Sequence, residues 1–303
     1  MFMDDFAFFE NDALQEIQIL KNIVNDNIKQ EDFDKIEKIY ERVNFTPKDG
    51  TSPFKFDPIL FTIKTAVVYA KEIGVNRASI IAILLKPIID QHPIETAMVK
   101  EAFGDEVANI ITGIEKVSRL YDNNPSIETE NFRDLLMLFA QDMRVIFILI
   151  ADRINMMRQI KDKGNELMRR RIATEASSLY APLAHKLGLY LIKSELEDLS
   201  LKYLEPDVYY MIKDKLNETK ASRDAYIEAF IRPVEEKVKA AGIKCHIKGR
   251  TKSIHSIWEK MKKQKCGFEG IYDLFAIRII IDCDEEKEKM QCWQAYSIIT
   301  DMY

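Results

Sequence analysis

The sequence predicts a multidomain protein in which an all-α region is followed by the start of an α/β region. Apolar residues recur at three- and four-residue spacing through the first two thirds, for example at Ile59, Ile63, Ala66 and Ala70. This is the period of an amphipathic helix. Glycine and proline are scarce, 10 and 9 residues in a chain of 303, so long linkers and turn-rich all-β folds are disfavoured. Only after about residue 240 does the pattern change.

Breaks in the helical pattern divide the first two thirds of the chain. The segment from Glu128 to Ile160 is one long helical pattern, or two helices broken near Gln141 and Asp142. Gly164 and Asn165 predict a break before the next helix. A later pattern ends where Pro206 follows, because proline cannot continue a helix from within. These breaks predict several separate helices that pack together.

Two strands and two helices are predicted in the last third. The stretch Gly242–Gly249 alternates apolar and polar residues, which indicates a strand. Ser253–Lys263 places its apolar side chains on one helical face. Leu274–Ile281 is dense in β-branched residues and is interpreted as a buried strand. A further helix is expected from Gln291 onward, which makes the order strand, helix, strand, helix.

Composition is typical of a cytoplasmic protein. Hydrophobic residues make up 47% of the chain and charged residues 31%, with a net charge of −5. The acidic N-terminus lacks the basic start of a signal peptide, and the longest apolar stretch, Val145–Ala151, is too short to span a bilayer. We therefore expect no membrane association and no direct DNA binding. The four cysteines form no CxxC pair, so reduced thiols are favoured over a zinc site.

Basic residues cluster locally in this acidic chain. Between Lys244 and Lys265 there are eight lysines and arginines, and the only acid is Glu259. A cationic patch of this kind favours an anionic ligand.

Five side chains in and after this patch could form a nucleotide site. The segment between the first strand and the following helix carries Arg250 and Lys252, where free helix N–H groups suit phosphate. Lys260 adds a further cation, and Asp273 precedes the next strand, a usual place for a Mg²⁺ ligand. Arg278 lies in an otherwise apolar strand, where an unpaired charge is costly. The simpler alternative is a solvated lysine face and a turn aspartate, but the combination favours nucleotide binding.

The same residues carry a family resemblance. Residues 249–261 read GRTKSIHSIWEKM and residues 271–278 read IYDLFAIR. These stretches resemble the synthetase motif of the RelA/SpoT family, whose members transfer pyrophosphate from ATP to the 3′-hydroxyl of GTP or GDP. The resemblance implies a mixed-sheet, nucleotidyltransferase-like domain in which Arg250 packs on adenine, Lys252 and Lys260 contact phosphates, and Asp273 binds Mg²⁺.

The family also uses a glutamate in an E-x-Q-I-R-T motif and a tyrosine that stacks on guanine. Both are expected beyond Tyr303, so residues 1–303 alone are expected to synthesise little product. Ribosome binding, if present, is expected from further C-terminal domains.

The helical region resembles the HD-type hydrolase domain and connector of the same family. The supporting stretches are Ala151–Arg153, Tyr180–Gly188 and Leu196–Leu199. The resemblance implies an HD-type domain over 1–165, a helical connector over 166–235 and a partial synthetase domain over 236–303.

The metal-binding pattern of that hydrolase domain is not kept. Members that hydrolyse (p)ppGpp hold Mn²⁺ with a histidine, a His-Asp pair and a later aspartate, and an H-D-x-x-E-D motif carries the pair. The departures are Phe61 for the first histidine, Leu85 and Lys86 for the pair, and Ile89 for the glutamate. Asp90 and Asp152 remain, and only Asp152 matches a metal ligand.

We therefore expect no bound Mn²⁺ and no hydrolysis in the helical domain. Leu85 and Ile89 are expected to share one helix face and fill the space of the lost ligands, while Lys86 points to solvent or finds an acid. His92 is disfavoured as a substitute ligand, and His185 is expected to be a packed or hydrogen-bonded core histidine.

Two classes of function follow. The first is a GTP diphosphokinase that acts only as a synthetase. The second is a catalytically silent regulatory module that binds nucleotide or restrains a neighbouring domain.

Overall fold

A computed structural model describes residues 11–43, 54–91, 96–123, 142–161 and 163–303. The chain divides into two compact units, Met1–Leu204 and Glu205–Tyr303. Residues 128–141 of the segment predicted as one helix or two, and His92, lie outside the described residues.

The first unit is helical throughout its described residues. Its helices are α1 (Asn11–Val24), α2 (Gln30–Arg42), α3 (Pro58–Glu72), α4 (Arg77–Gln91), α5 (Thr96–Phe103), α6 (Asp105–Asn123), α7 (Met143–Gln159), α8 (Glu166–Glu175), α9 (Ala181–Lys186) and α10 (Tyr190–Leu204).

Helix α4 lies at the centre of this unit. Its residues from Ile80 to Leu85 are buried, so the helix is covered on several faces rather than along a single stripe. The buried polar groups nearby are paired, as burial requires. The Tyr40 hydroxyl donates to the Leu84 carbonyl at 2.7 Å, and the Tyr69 hydroxyl donates to Ser79 Oγ at 2.9 Å.

The predicted helix breaks are confirmed. Gly164 has a left-handed φ of +66°, and the Asn165 side chain accepts a hydrogen bond from the Met168 N–H at 2.8 Å, which begins α8. Helix α10 ends at Leu204, and the next helix begins at Pro206. Proline suits that place because its missing N–H would have no helical partner in the first turn.

The second unit combines helices with a two-stranded antiparallel sheet. Its elements are α11 (Pro206–Glu218), α12 (Lys220–Ala240), β1 (Cys245–Thr251), α13 (Ile254–Gln264), β2 (Phe275–Ile281) and α14 (Glu288–Thr300). The helical region followed by a strand–helix–strand–helix order confirms the predicted fold class.

Two small apolar clusters hold the second unit together. One joins α11 and α13 through residues such as Ile212 and Ile257. The other joins one face of the sheet to α12 and α14, with Val234, Val238 and Ala295 at its centre.

The prediction that the second strand is buried is wrong. Burial alternates along β2, and Ala276, Arg278 and Ile280 are exposed. The reason is that, among the described residues, helices cover only one face of the sheet, so every second side chain of a strand faces outward.

None of the described helices is both long enough and apolar enough to cross a bilayer.

Candidate functional site

The candidate nucleotide site lies where β1 ends and α13 begins. The Lys252 N–H donates to the Leu274 carbonyl at 2.9 Å, which continues the pairing of the two strands by one residue. Ser253 then caps α13, because its side chain accepts a hydrogen bond from the Ser256 N–H at 3.3 Å. This arrangement places Lys252 beside the residues that precede β2.

Asp273 is held there between two ammonium groups. Lys252 and Lys260 both donate to Asp273 Oδ2. These hydrogen bonds, first from Lys252 and then from Lys260, lower the pKa of Asp273 to about 2. The hydrogen bond to Asp273 in turn raises the pKa of Lys260. Half of the Asp273 side chain is exposed, so an ionised carboxylate is available at the surface at neutral pH.

Gly249, the residue before Arg250, lies where β1 packs against α12. A Cβ at Gly249 would lie 2.5 Å from Cγ2 of Ile227 in α12, which is closer than carbon atoms can approach. Glycine therefore lets α12 pack directly on β1. Because successive residues of a strand face opposite sides, Arg250 lies on the uncovered side of the sheet.

The uncovered side, which we call the open face, carries two of the four cations predicted for the site. In the antiparallel register Arg250 lies opposite Ala276 and Lys248 lies opposite Arg278, and all four are exposed. The structure thus brings Arg250 and Arg278 to one face, with the Asp273 cluster at the end of the same strands. Sequence reasoning counted Lys248 in the basic cluster but missed it as a site residue. Lys248 could have been identified from its two-residue spacing from Arg250, because residues two apart in a strand lie on the same face.

Lys86 lies between Asp90 and Asp152, the two acids that remain of the hydrolase pattern. Its Nζ lies 3.0 Å from Asp90 Oδ2 on the same helix and 4.0 Å from Asp152 Oδ1 on α7. The charge of Asp152, the largest influence, and that of Asp90 raise the pKa of Lys86 against the opposing effect of burial. Lys86 was predicted either to point to solvent or to contact an acid, and the second alternative is confirmed.

Apolar residues fill the neighbouring positions. Leu85 is fully buried and Ile89 is partly buried within the same core. Phe61 stacks on Phe56 with ring centroids 5.0 Å apart, and its carbonyl accepts a hydrogen bond from Asn155 Nδ2 at 2.9 Å. Phe61 and Leu85 offer no side-chain atom that can bind a metal, and within the described residues no three His, Cys, Asp or Glu side chains form a metal-binding group.

A second buried ion pair flanks this region. Arg153 donates to Glu175 Oε2 at 2.9 Å and lies 4.4 Å from the ring centre of Tyr180. A π-helical turn, Ala176–Tyr180, carries the tyrosine. Sequence reasoning missed this turn, because no residue type marks it.

His185 is not a core residue, and that prediction is wrong. It is exposed at the end of the short helix α9. Its ring lies edge-on to the ring of Tyr190, with the ring centroids 5.7 Å apart. Leu183 and Ala184 occupy the buried side of that helix. The four cysteines are free thiols.

Comparison with known proteins places the chain in a family. An HD domain matches residues 57–190, and a region found in RelA/SpoT proteins matches residues 249–303. The chain belongs to the RelA/SpoT family. The HD match covers the surroundings of Lys86 and Asp152, and the second match begins at the glycine before Arg250.

Curated relatives agree with the two matches. The chain is 35% identical over 237 residues to a GTP pyrophosphokinase of Myxococcus xanthus, which is 77% of this chain and 30% of that protein. It is 34% identical over 212 residues to the bifunctional (p)ppGpp synthase/hydrolase SpoT of Escherichia coli, 70% of this chain and 30% of the relative. The chain thus spans about a third of the length of the relatives it matches.

Replacing the lysine at the centre of the helical unit tests its role as a counter-charge. We expect Lys86→Met to lower the free energy of unfolding by about 1–2 kcal/mol, because Asp152 loses its partner in a partly buried place. Adding Asp152→Asn should recover part of this loss. The measurement is urea unfolding of the two single variants and the double variant.

The exposed pair Lys100–Asp105 provides the control, since both side chains are more than half exposed. Lys100→Met should change stability by less than about 0.5 kcal/mol. Equal effects of the two lysine substitutions, or no coupling between Lys86 and Asp152, would contradict the assigned role.

Proposed function

We propose that this protein transfers pyrophosphate from ATP to the 3′-hydroxyl of GTP or GDP, and that its HD domain has lost (p)ppGpp hydrolysis. The observation that carries the proposal is the Asp273 cluster with Lys252 and Lys260, placed at the end of strands whose open face presents Arg250 and Arg278. Family membership supports it, since relatives are named GTP pyrophosphokinases.

Asp273 fits the Mg²⁺ ion that this chemistry implies. Its carboxylate has a pKa of about 2 and is half exposed, and Mg²⁺ prefers such oxygen ligands. When bound, Mg²⁺ would neutralise negative charge on the transferring phosphates. Asp273 would hold the ion.

The remaining side chains position the donor nucleotide. With Asp273 engaged by the ion, the ammonium groups of Lys252 and Lys260 would turn to phosphate oxygens in its place. The Arg250 guanidinium is planar and can stack on a base. Because phosphoryl-type transfer depends mainly on positioning and charge neutralisation, these groups supply what the donor half of the site needs.

The helical unit offers no comparable fit to Mn²⁺. Of the ligand positions of a hydrolase centre, only Asp152 holds an oxygen donor, and the Lys86 ammonium lies 4.0 Å from it. A fixed cation in this place repels a divalent ion, and a single carboxylate holds such an ion weakly. The proposed role of this unit is therefore structural or regulatory.

Removing the proposed metal ligand tests the synthetase assignment. We expect Asp273→Asn in the intact protein to lower kcat for pyrophosphate transfer at least about 100-fold, with a much smaller change in ATP affinity. The reason is that metal charge matters most in the transition state. The assay follows radiolabelled ATP into (p)ppGpp, and equilibrium titration gives the affinity.

Arg250→Ala serves as the matched comparison, because it should weaken ATP binding itself. Synthesis by Asp273→Asn at the wild-type rate would refute the metal role. Nucleotide binding without any synthesis by the wild-type protein would favour the silent regulatory module.

Loss of hydrolysis is tested separately. We expect no release of pyrophosphate from ppGpp by this protein at neutral pH with added Mn²⁺, because the residues of the HD domain cannot retain the ion. The Escherichia coli bifunctional synthase/hydrolase is the positive control in the same assay. Hydrolysis by this protein above background, and abolished by Asp152→Asn, would refute the proposed loss.

A further inference from the structure

An exposed apolar surface in the helical unit is surrounded by positive charge. Leu167 and Met168, in the first turn of α8, are 77% and 36% exposed. They lie within residues 161–171, which hold five basic and two acidic residues and therefore carry a net charge of +3. We call these two apolar side chains and the exposed cations of the segment (Lys161, Lys163, Arg170 and Arg171) the basic surface.

Two arginines of this segment are held in place by the backbone. Arg170 donates to the Leu204 carbonyl at 3.1 Å. The neighbouring Arg169 donates to the carbonyls of Lys163 and Gly164, at 3.1 and 3.0 Å. Because these partners are neutral, they order the guanidinium groups without cancelling their charge. A surface that is already ordered loses less conformational entropy when a partner binds.

A second exposed apolar surface, in the unit that contains the sheet, carries the opposite charge. Met290, Trp293 and Tyr296 of α14 are each at least 60% exposed, and their three-residue spacing places them along one side of the helix. The rings of Trp293 and Tyr296 lie edge-on, with centroids 5.9 Å apart. Residues 282–289, which lead into this helix, hold five acidic and two basic residues, a net charge of −3. We call the three apolar side chains and the exposed acids of that segment (Asp282, Asp284, Glu285, Glu286 and Glu288) the acidic surface.

The basic and acidic surfaces match each other in chemistry. Each combines large apolar side chains with charges of one sign, and the two net charges are equal and opposite. Exposed apolar patches rimmed by polar residues mark sites of protein association, and opposite charges steer such surfaces together. Because every copy of the chain carries both surfaces, a second copy is the partner that this match favours.

We propose that this protein self-associates, with the basic surface of one copy against the acidic surface of another. Leu167 and Met168 pack on the α14 side chains, and the surrounding cations and acids face each other at the rim. The contact uses a different surface on each copy, so two copies can make it twice, or further copies can add at the ends. Neither surface includes the Asp273 cluster or the open face, so the inference is independent of the proposed pyrophosphate transfer.

Sedimentation of the intact protein over a range of concentrations tests the proposal. We expect the wild-type protein to shift from monomer towards dimer or larger species as its concentration rises. The apparent Kd should rise at least about fivefold between about 0.05 M and 0.5 M salt, because salt screens the charges at the rim. A monomer at every concentration, or association that salt strengthens, would refute the proposal.

Two variants each disable one surface. Leu167→Glu places an acid in the basic surface, and Trp293→Lys places a cation in the acidic one. Each should raise the Kd of self-association at least about tenfold, because each removes an apolar anchor from the interface. When the two variants are mixed they should form one-to-one complexes, since each retains the surface that the other has lost. Self-association that Trp293→Lys abolishes and Leu167→Glu leaves unchanged would overturn the pairing of the two surfaces.

Leu191→Glu is the matched control. Leu191 on α10 is also 77% exposed but lies outside both surfaces, so this variant should associate like the wild type. Circular dichroism should show the same helical content for all three variants. A loss of association in Leu191→Glu equal to that in Leu167→Glu would show that any added surface acid weakens association, and would refute the role assigned to the basic surface.

Discussion

Buried charges of the described helical residues lie close to opposite charges, and this pairing constrains which side chains can lie beside them. Asp32 is nearly buried and contacts Arg77 at 2.5 Å, and Arg153 contacts Glu175 at 2.9 Å in the core. Asp152 is the third such case, with Lys86 at 4.0 Å. An ionised side chain without a partner in these places costs several kcal/mol, so each of these carboxylates needs a cation nearby.

Lys86 satisfies that need from within the chain. The Lys86 ammonium supplies one positive charge, and unlike a divalent ion it requires no further ligands. Apolar side chains can therefore lie at the neighbouring positions. Leu85 then completes the core around α4, and Phe61 stacks on Phe56. The helical scaffold matches an HD domain, while Phe61 and Leu85 offer no side-chain atom that can bind a metal.

The second unit separates packing from binding by the two faces of its sheet. Side chains such as Ile247 and Ile279 face α12 and α14, and Gly249 allows the close approach of α12. The alternate residues, including Arg250 and Arg278, carry charge on the open face. The alternation of side chains along each strand therefore places the apolar residues on one face and the cations on the other. The Asp273 cluster lies at the end of the same strands.

The order of helices and strands could be predicted because the apolar periodicity and the helix-breaking residues were clear. Gly164, Asn165 and Pro206 marked real helix boundaries, and the two strands appeared where alternation or β-branched residues indicated them. Burial was harder to predict. The β-branched run of β2 resembled a fully buried strand, but burial depends on what covers each face, which a single strand does not encode. His185 was misplaced for a related reason, since the outward side of a six-residue helix cannot be distinguished by periodicity.

Site residues could be predicted where a local motif identifies them. Contacts between residues of different helices or strands could not be predicted from the sequence. Asp273, Lys252 and Lys260 were found from motif and charge, and their proximity follows from the pairing of β1 with β2. The opposition of Lys248 and Arg278 depends on strand register, which the spacing in sequence does not give. Likewise, an acid for Lys86 was anticipated, but the contact with Asp152, 66 positions later, required the packing of α4 on α7.

The most direct test of this account is a Mn²⁺ titration of the helical domain in the intact protein. The wild-type protein should bind no stoichiometric Mn²⁺, whereas the triple variant Phe61→His, Leu85→His, Lys86→Asp should bind one ion per chain, with helical content unchanged by circular dichroism. Stoichiometric binding by the wild-type protein that requires Asp152 would contradict the proposal that this helical domain holds no Mn²⁺.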